Sequence, residues 1–274
     1  MNFDHADVQR LKEQAVKIRE RVLEMCHSAG CGHIGSSFSI VEMMTALYFR
    51  CMKIPRSGVK EAERDRLVLS KGHGCPTLYA ALFDCGLLPE SALEGFSRNG
   101  GILEQHPSRN PAYGIDVSSG SLGHGLSIGA GMALSGKLNG EDHRVFVIMS
   151  DGETNEGSTW EAALFAAQHG LDNLVAIVDY NKMQALGKTR DIIGLDPFSS
   201  KWEAMGWAVR EVDGHDFSEV VPTLEQVPFL SGKPNMIIAH TVKGKGVCFM
   251  ENDLLWHYRC PDEEEYHKAT CELC

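Results

Sequence analysis

Three things are scarce in this chain of 274 residues, and each scarcity excludes something. Long apolar runs are missing: none approaches the roughly 20 residues that a membrane span requires, so no membrane association is expected. Basic residues are outnumbered, 26 to 37, which leaves a formal charge of −11. Nucleic-acid binders usually display a basic patch, so no nucleic-acid partner is expected either. The opening MNFDHADVQRLKEQ lacks the basic-then-apolar order of a secretory signal, and the expected location is cytoplasmic. Cysteine is not scarce, but nine is an odd number spread over a large chain. That suits reduced thiols better than a disulfide framework.

What is present is ordinary globular material. With 43% hydrophobic and 23% charged residues, residues 1–274 suffice for a single domain with a substantial core. Val8, Leu11, Ala15, Ile18, Val22 and Met25 recur at helical spacing within 6–28. Gly30, Gly32 and Gly35 break that helix, and a second is expected from about Ile40 to Phe49. Residues 54–66 read as loop and 66–70 as a short buried strand. A helix follows Lys71-Gly72-His73-Gly74 as far as about Asp84. Residues 97–123 are rich in Gly, Ser, Pro and Asn, and so long an irregular stretch inside a compact domain is usually functional. Next comes a helix from His124 to about Leu138 with many small residues, suited to close packing or a subunit contact. Apolar strands at 144–149, 174–178, 207–212 and 235–240 alternate with helices at 160–168 and 216–227. Strands apolar throughout, alternating with helices, predict an α/β fold: a mainly parallel sheet covered on both faces.

In such sheets ligands bind at the carboxyl ends of strands. Two ends stand out: Ser150-Asp151-Gly152-Glu153, and Asp179-Tyr180-Asn181, with Asp151 and Asn181 30 residues apart. If these strands are neighbours, both side-chain oxygens reach one point. Mg²⁺ prefers oxygen ligands in octahedral geometry and keeps some bonds for phosphates and water. A carboxylate, an amide oxygen and a nearby backbone carbonyl would leave room for a diphosphate. Gly152 permits close backbone approach, and N–H groups near a helix start attract anions. The plainer alternative is that Asp151 caps a helix and Asn181 shapes a turn. At the C-terminus, Cys271-Glu-Leu-Cys274 could supply half of a zinc site with Cys260 as a third ligand; the plainer alternative is a frayed tail.

Further motifs bear on this choice. Ser150-Asp151-Gly152 followed by Tyr180-Asn181 resembles the thiamine diphosphate motif, usually Gly-Asp-Gly and then Asn-Asn at this separation. Both departures fall beside the metal-ligating residues, which are kept. Thr154-Asn155-Glu156-Gly157-Ser158-Thr159-Trp160-Glu161-Ala162 continues in the transketolase manner. So do Gly32-His33-Ile34-Gly35-Ser36, Ser70-Lys71-Gly72-His73, Gly120-Ser121-Leu122-Gly123-His124-Gly125 and Thr241-Val242-Lys243-Gly244-Lys245-Gly246. The order is collinear over nearly the whole chain, and the sequence resembles the N-terminal section of transketolases, as the N-terminal subunit of a split enzyme.

The resemblance implies a three-layer α/β/α thiamine diphosphate-binding fold. It implies that Asp151, Asn181 and the carbonyl of Met183 hold Mg²⁺, with Ca²⁺ or Mn²⁺ as substitutes. Ser36, His73 and Gly152 would touch the diphosphate or thiazolium region, with Glu153 among the cofactor-binding residues. Gly120, Ser121 and Leu122 would line the aminopyrimidine end, and Lys243 would add positive charge near the diphosphate. His33, His106 and His257 would face the sugar, where imidazoles hydrogen-bond hydroxyls and shuttle protons, and His73 would count with them among the catalytic residues. Glu156 would lie at a dimer interface, in a chain of acidic groups linking two active sites. Plainer readings stand beside these: Lys243 as a solvated loop residue, the histidines as structural, Glu156 as surface. His124 stands where the family commonly has Gln and receives no role.

The resemblance also implies a partner. In the family, the glutamate that hydrogen-bonds the aminopyrimidine and the groups that grip sugar phosphates lie in domains C-terminal to this one. A second subunit carrying the pyrimidine-binding domain is therefore expected, in an α2β2 assembly. The implied reaction is transfer of a two-carbon ketol unit from a ketose or ketose phosphate to an aldose or aldose phosphate. Alternatives are a deoxyxylulose phosphate synthase-like enzyme, a 2-oxoacid dehydrogenase α subunit whose other motifs fit poorly, and a non-catalytic cofactor-binding or regulatory subunit. A nicotinamide-binding protein would need a GxGxxG turn directly after the first strand. Gly120–Gly125 has the wrong spacing and follows a loop.

Overall fold

The computed structural model describes residues 3–55 and 59–273. Helix α1 (His5–Ala29) starts at Asp4, whose carboxylate accepts the Asp7 N–H, and ends at Gly30 in the left-handed conformation. The expected stripe of Leu11, Ala15, Ile18 and Val22 is buried. The glycine-rich segment after it does not stay open: α2 (Ile34–Phe38) forms there, with His33 at its start. Helix α3 (Val41–Ala46) runs on into one π turn, Leu47–Cys51, close to the expected span.

Strand β1 (Arg66–Leu69) is followed by α4 (Cys75–Asp84) and α5 (Glu90–Glu94). Residues 97–123 are irregular, as expected, apart from a bridge between Asn110 and Ile115 and the 3₁₀ turn Pro111–Tyr113. On the buried side of α6 (Gly125–Asn139) the small residues serve packing, and a Cβ on Gly129 would lie 2.4 Å from Val147, whereas Ser127 and Gly131 are exposed. Then come β2 (Val145–Ser150), α7 (Gly157–Gln168), β3 (Leu174–Tyr180), and a small hairpin of β4 (Met183–Gln184) and β5 (Gly187–Lys188). Helices α8 (Thr189–Ile192) and α9 (Phe198–Ala204), β6 (Ala208–Asp213), α10 (Phe217–Glu225), β7 (Asn235–His240) and α11 (Glu263–Leu273) complete the order.

The main sheet is parallel throughout, with strand order β1–β2–β3–β7–β6. Alternate residues of the central strands feed two cores. Phe146, Ile148, Val175, Ile177 and Ile237 pack with residues of α1, α3, α4 and α10. Val147, Met149, Ala176, Val178 and Ile238 pack with those of α6, α7 and α9. The result is the expected three-layer α/β/α arrangement.

Two expectations are corrected. The strands are not all apolar throughout: β6 exposes Arg210, Glu211 and Asp213, because it is an edge strand and charged side chains there discourage pairing with another sheet. Nor is the C-terminal segment a frayed tail. In α11, Ala269 and Leu273 are buried, three glutamates sit in the first turn where the helix dipole favours them, and Tyr266 stacks on His27 of α1 at 4.3 Å. The zinc reading gains no support. Cys260 Sγ donates to the Cys26 carbonyl (3.2 Å), Cys271 is exposed, and Cys274 lies outside the described residues. Among the described residues no group of three or more His, Cys, Asp or Glu could hold a metal ion, and no helix is long and apolar enough to cross a membrane.

Candidate active site

The register brings the decisive strand ends together. Ser150 pairs with Asp179, and Asp179 with Ala239, so β2, β3 and β7 end side by side at the spacing of about 4.8 Å between neighbouring strands. Asp151 follows β2 directly and opens the 3₁₀ turn Gly152–Asn155; Asn181 follows β3 directly. Asp151 is buried. Its Oδ1 accepts the Gly152 N–H (2.8 Å) and its Oδ2 the Thr189 hydroxyl (2.8 Å). Asn181 Nδ2 donates to Asp179 (2.8 Å) and its Oδ1 accepts the Met183 N–H (3.0 Å), which sets the orientation of the amide.

Burial, reinforced by the charge of Asp179, pushes the Asp151 carboxyl up to about 6. Lys243, the cation within electrostatic reach, does not offset this burial, and a divalent cation would add the positive charge that the carboxylate favours. Lone pairs remain on Asp151 and on the Asn181 amide oxygen, and hard oxygen donors are what Mg²⁺ takes. Beside them opens a cavity of about 670 Å³, lined in part by Asn181, Met183, Thr189 and Thr241, with Lys182 and Lys188 at its wall. These residues fit a metal-bound diphosphate.

Beneath the strand ends lies a hub that sequence reasoning passed over. The buried Asp179 carboxylate accepts Lys71 Nζ (2.6 Å), Ser39 Oγ (2.7 Å), Asn181 Nδ2 (2.8 Å) and the Thr241 hydroxyl. One carboxylate thus ties together the ends of β1, β3 and β7 and the joint between α2 and α3. Burial opposes its ionisation, but Lys71 and the hydrogen bonds outweigh that and hold the carboxyl below its usual range. A signal was available: a lysine and an aspartate at the tips of buried apolar strands need partners.

Glu153 turns inward. Its Oε1 accepts the Ser70 hydroxyl and the Gly123 N–H (2.9 Å), and its Oε2 the Ser150 N–H (3.3 Å). It braces the Gly120–Gly125 loop against β1 and β2. Gly125 sits where that loop enters α6, and a Cβ there would lie 2.1 Å from Ser70 Oγ. Gly120 abuts His106, whose ring would be 2.7 Å from an added Cβ. Ser121 is exposed, Leu122 half-buried. Ser36 is buried, and its carbonyl accepts Lys71 Nζ (2.8 Å).

The four histidines converge from four separate segments. The His33 ring lies 5.1 Å from His73, 5.2 Å from His257 and 6.4 Å from His106, centroid to centroid. The His33 N–H donates to the His257 carbonyl (3.0 Å), which locks two of the segments together. The exposed Tyr258 lies 5.8 Å from His33. Lys243 is buried, not solvated, and its Nζ is 2.5 Å from His257 Nδ1. Burial, with Lys71 nearby, lowers Lys243 to about 8. Burial and the neighbouring His106 lower His33 to about 4, burial and Lys243 lower His257 to about 3, and burial and Lys71 press His73 well below its usual range. These three rings are therefore neutral at pH 7, and each offers one donor and one acceptor. His33 Nδ1 is buried without a partner, an unmet hydrogen bond of the kind a bound hydroxyl satisfies. Glu156 stands apart from this cluster, exposed at the start of α7, and His124 is also exposed.

Residues 11–270 match the family described as "Transketolase, thiamine diphosphate binding domain". This chain belongs to the transketolase family. Among similar transketolase subunits, the 6-deoxy-6-sulfo-D-fructose transketolase subunit of Clostridium sp. (strain MSTE9) is 46% identical over 263 residues, which is 96% of each chain. An apulose-4-phosphate transketolase subunit of Phocaeicola vulgatus is 40% identical over 266 residues, 97% of this chain and 94% of that one. The crystal structure of transketolase from Campylobacter jejuni superimposes with a TM-score of 0.89 at 29% identity, covering 100% of this chain and 43% of the other. The chain thus spans nearly all of the two subunits and less than half of that solved transketolase. In transketolase terms, the strand ends and histidines described above belong to the thiamine diphosphate-binding domain.

Proposed function

We propose that this chain is the cofactor-binding subunit of a two-subunit transketolase. It holds the diphosphate end of Mg²⁺–thiamine diphosphate. With a partner chain carrying the pyrimidine-binding domain, it transfers a two-carbon ketol unit from a ketose or ketose phosphate to an aldose or aldose phosphate. The observation that carries this reading is the emergence of Asp151 and Asn181 from adjacent strand ends. Residues 1–274 serve as one domain, working in the cytoplasm.

Thiamine diphosphate supplies the carbanion chemistry that lets a carbon–carbon bond beside a carbonyl break and re-form. The protein's task is to bind, orient and move protons. Asp151, Asn181 and the Met183 carbonyl hold the Mg²⁺, with Ca²⁺ or Mn²⁺ as substitutes. Gly152, Ser36 and His73 approach the diphosphate, and Lys243 balances its charge. Gly120, Ser121 and Leu122 line the aminopyrimidine end. Glu153 acts from behind, by bracing that loop. His33, His106 and His257 hold sugar hydroxyls and pass protons to and from them; the neutral rings of His33 and His257 suit this because each both gives and accepts.

A partner is supported by the names of the two relatives, each of which is one subunit of its enzyme. The helices α6 and α7 also leave Ile128, Leu164 and Phe165 exposed, an apolar face suited to a subunit contact in an α2β2 assembly, with Glu156 at the start of α7. The test is reconstitution: the chain is assayed for ketol transfer alone and with the product of the neighbouring gene. Full activity of the isolated chain rejects the two-subunit reading. Asp151→Ala should abolish Mg²⁺-dependent cofactor binding in the active complex, and unchanged affinity would remove Asp151 from the metal site.

A further inference from the structure

We propose that Glu42 is a positioning residue for Lys243, acting through His215 and Arg19, which grip the backbone on either side of that lysine. This rests on the reading of Lys243 as the cation that meets the diphosphate.

Glu42 lies in α3, is nearly buried, and belongs to none of the motifs at the strand ends. Its Oε1 accepts from Arg19 (2.6 Å), and its Oε2 faces His215 Nδ1 (2.9 Å). Both partners continue to the segment after β7. The Val242 N–H donates to His215 Nε2 (2.8 Å), and Arg19 Nε donates to the Lys245 carbonyl (2.9 Å). The ring's roles follow from its neighbours: Nε2 accepts, so the proton sits on Nδ1 and points at Glu42. One carboxylate thus forks into two contacts, on the residue before Lys243 and on the second residue after it. Burial opposes the charge on Glu42, but Arg19 and His215 outweigh it and keep the carboxyl below its usual range.

Lys243 has reason to need such a clamp. Its segment has neither helix nor sheet to hold it, and beside this clamp the backbone there is tied by the Gly244 N–H to the Gly35 carbonyl (2.9 Å) and by the Asn252 N–H to the Lys243 carbonyl (2.9 Å). The buried ammonium sits in surroundings that favour the neutral form, so a loose backbone would let Nζ swing out to water. With the backbone gripped at Val242 and Lys245, the stem runs past Gly35, where an added Cβ would lie 3.1 Å from Lys243 Cγ, and Nζ ends at His257.

The test uses His215→Leu, His215→Gln, Lys243→Met and the His215→Leu/Lys243→Met double variant of the full chain. Truncating Glu42 itself would leave Arg19 buried and unpaired, so His215 is the cleaner place to cut. Lysine acetylation rates are read by mass spectrometry on the cofactor-free chain. His215→Leu should raise the Lys243 rate about tenfold, as expected when a buried hydrogen bond is lost. The exposed Lys60 should be unaffected. His215→Gln restores an oxygen for the Val242 N–H and an N–H for Glu42, and should return the rate towards wild type. An unchanged Lys243 rate in folded His215→Leu overturns the proposal, as does an equal rise in both variants. If His215→Leu does not fold, Glu42→Gln takes its place with the same expected rise. The second readout is thiamine diphosphate affinity with Mg²⁺ in the reconstituted complex. His215→Leu should weaken it about tenfold alone and add nothing in the Lys243→Met background, whereas additive losses overturn the route through Lys243. Should the wild-type complex bind no thiamine diphosphate, the functional reading fails while the labelling still decides the clamp.

Discussion

Replacing Lys243 with Met should make the cofactor-free chain more stable and the cofactor site worse. The lysine is 1% exposed, and burial with Lys71 nearby takes its ammonium from 10.5 to about 8, even though Asp179 and Asp151 pull the other way. A depression of that size disfavours the charged lysine by about 3 kcal/mol at pH 7. Methionine fills similar space without charge, but it forfeits the contact with His257 Nδ1, at a cost of about 1 kcal/mol. The net gain is about 2 kcal/mol at neutral pH. Its pH dependence has a definite sign. Between about 8 and 10.5 the folded wild type binds fewer protons than the unfolded chain, so its stability rises with pH through that window. The variant's advantage is therefore full below about pH 8 and gone by about pH 10.5. Urea unfolding of both proteins across this range, with chelator and no cofactor, measures it. Thermal shifts with Mg²⁺–thiamine diphosphate should show the reverse ranking. A variant less stable than wild type at pH 7, or an advantage that does not change with pH, refutes the argument.

Two further predictions concern the histidines and the loop. His33→Asn, chosen because Asn tolerates the left-handed backbone at φ 68, should lower kcat about 100-fold while the cofactor Kd changes by less than about threefold. Steady-state kinetics and titration of the reconstituted complex check this, and normal turnover would show that His33 is misplaced in the mechanism. Gly125→Ala would drive a methyl into Ser70 at 2.1 Å, so urea denaturation should reveal a loss of about 2–3 kcal/mol. A neutral result there would mean that α6 slides along β1 freely.

Much of this was legible in the residues themselves. Unbroken apolar runs at 144–149 and 174–178 announce buried parallel strands, because only a strand covered on both faces can be apolar at every position. Ligands gather at the carboxyl ends of such strands, so Asp151 and Asn181 could be picked out as candidates before the strand order was known. The helix of residues 6–28 was readable from its stripe. Local pattern misled where tertiary packing overrode it. Gly32 and Gly35 look like breakers, yet α2 starts at Ile34. The stretch from Cys271 reads as a frayed tail, yet α11 runs to Leu273 and closes over α1 through Tyr266 and His27.

The motifs picked out candidate residues, because hydrophobic period and the chemistry of strand-end side chains are properties of short stretches of chain. Which groups meet is a property of distance in space. The order β1–β2–β3–β7–β6 decides that Lys71, Ser39, Asn181 and Thr241 share the Asp179 carboxylate, and that Glu153 faces inward to Ser70 and Gly123. It also buries Lys243 against His257 and brings Glu42 under the loop that carries it. The ionisation of each of these groups depends on burial and on its nearest charges. Those came into being only when segments far apart in sequence packed together.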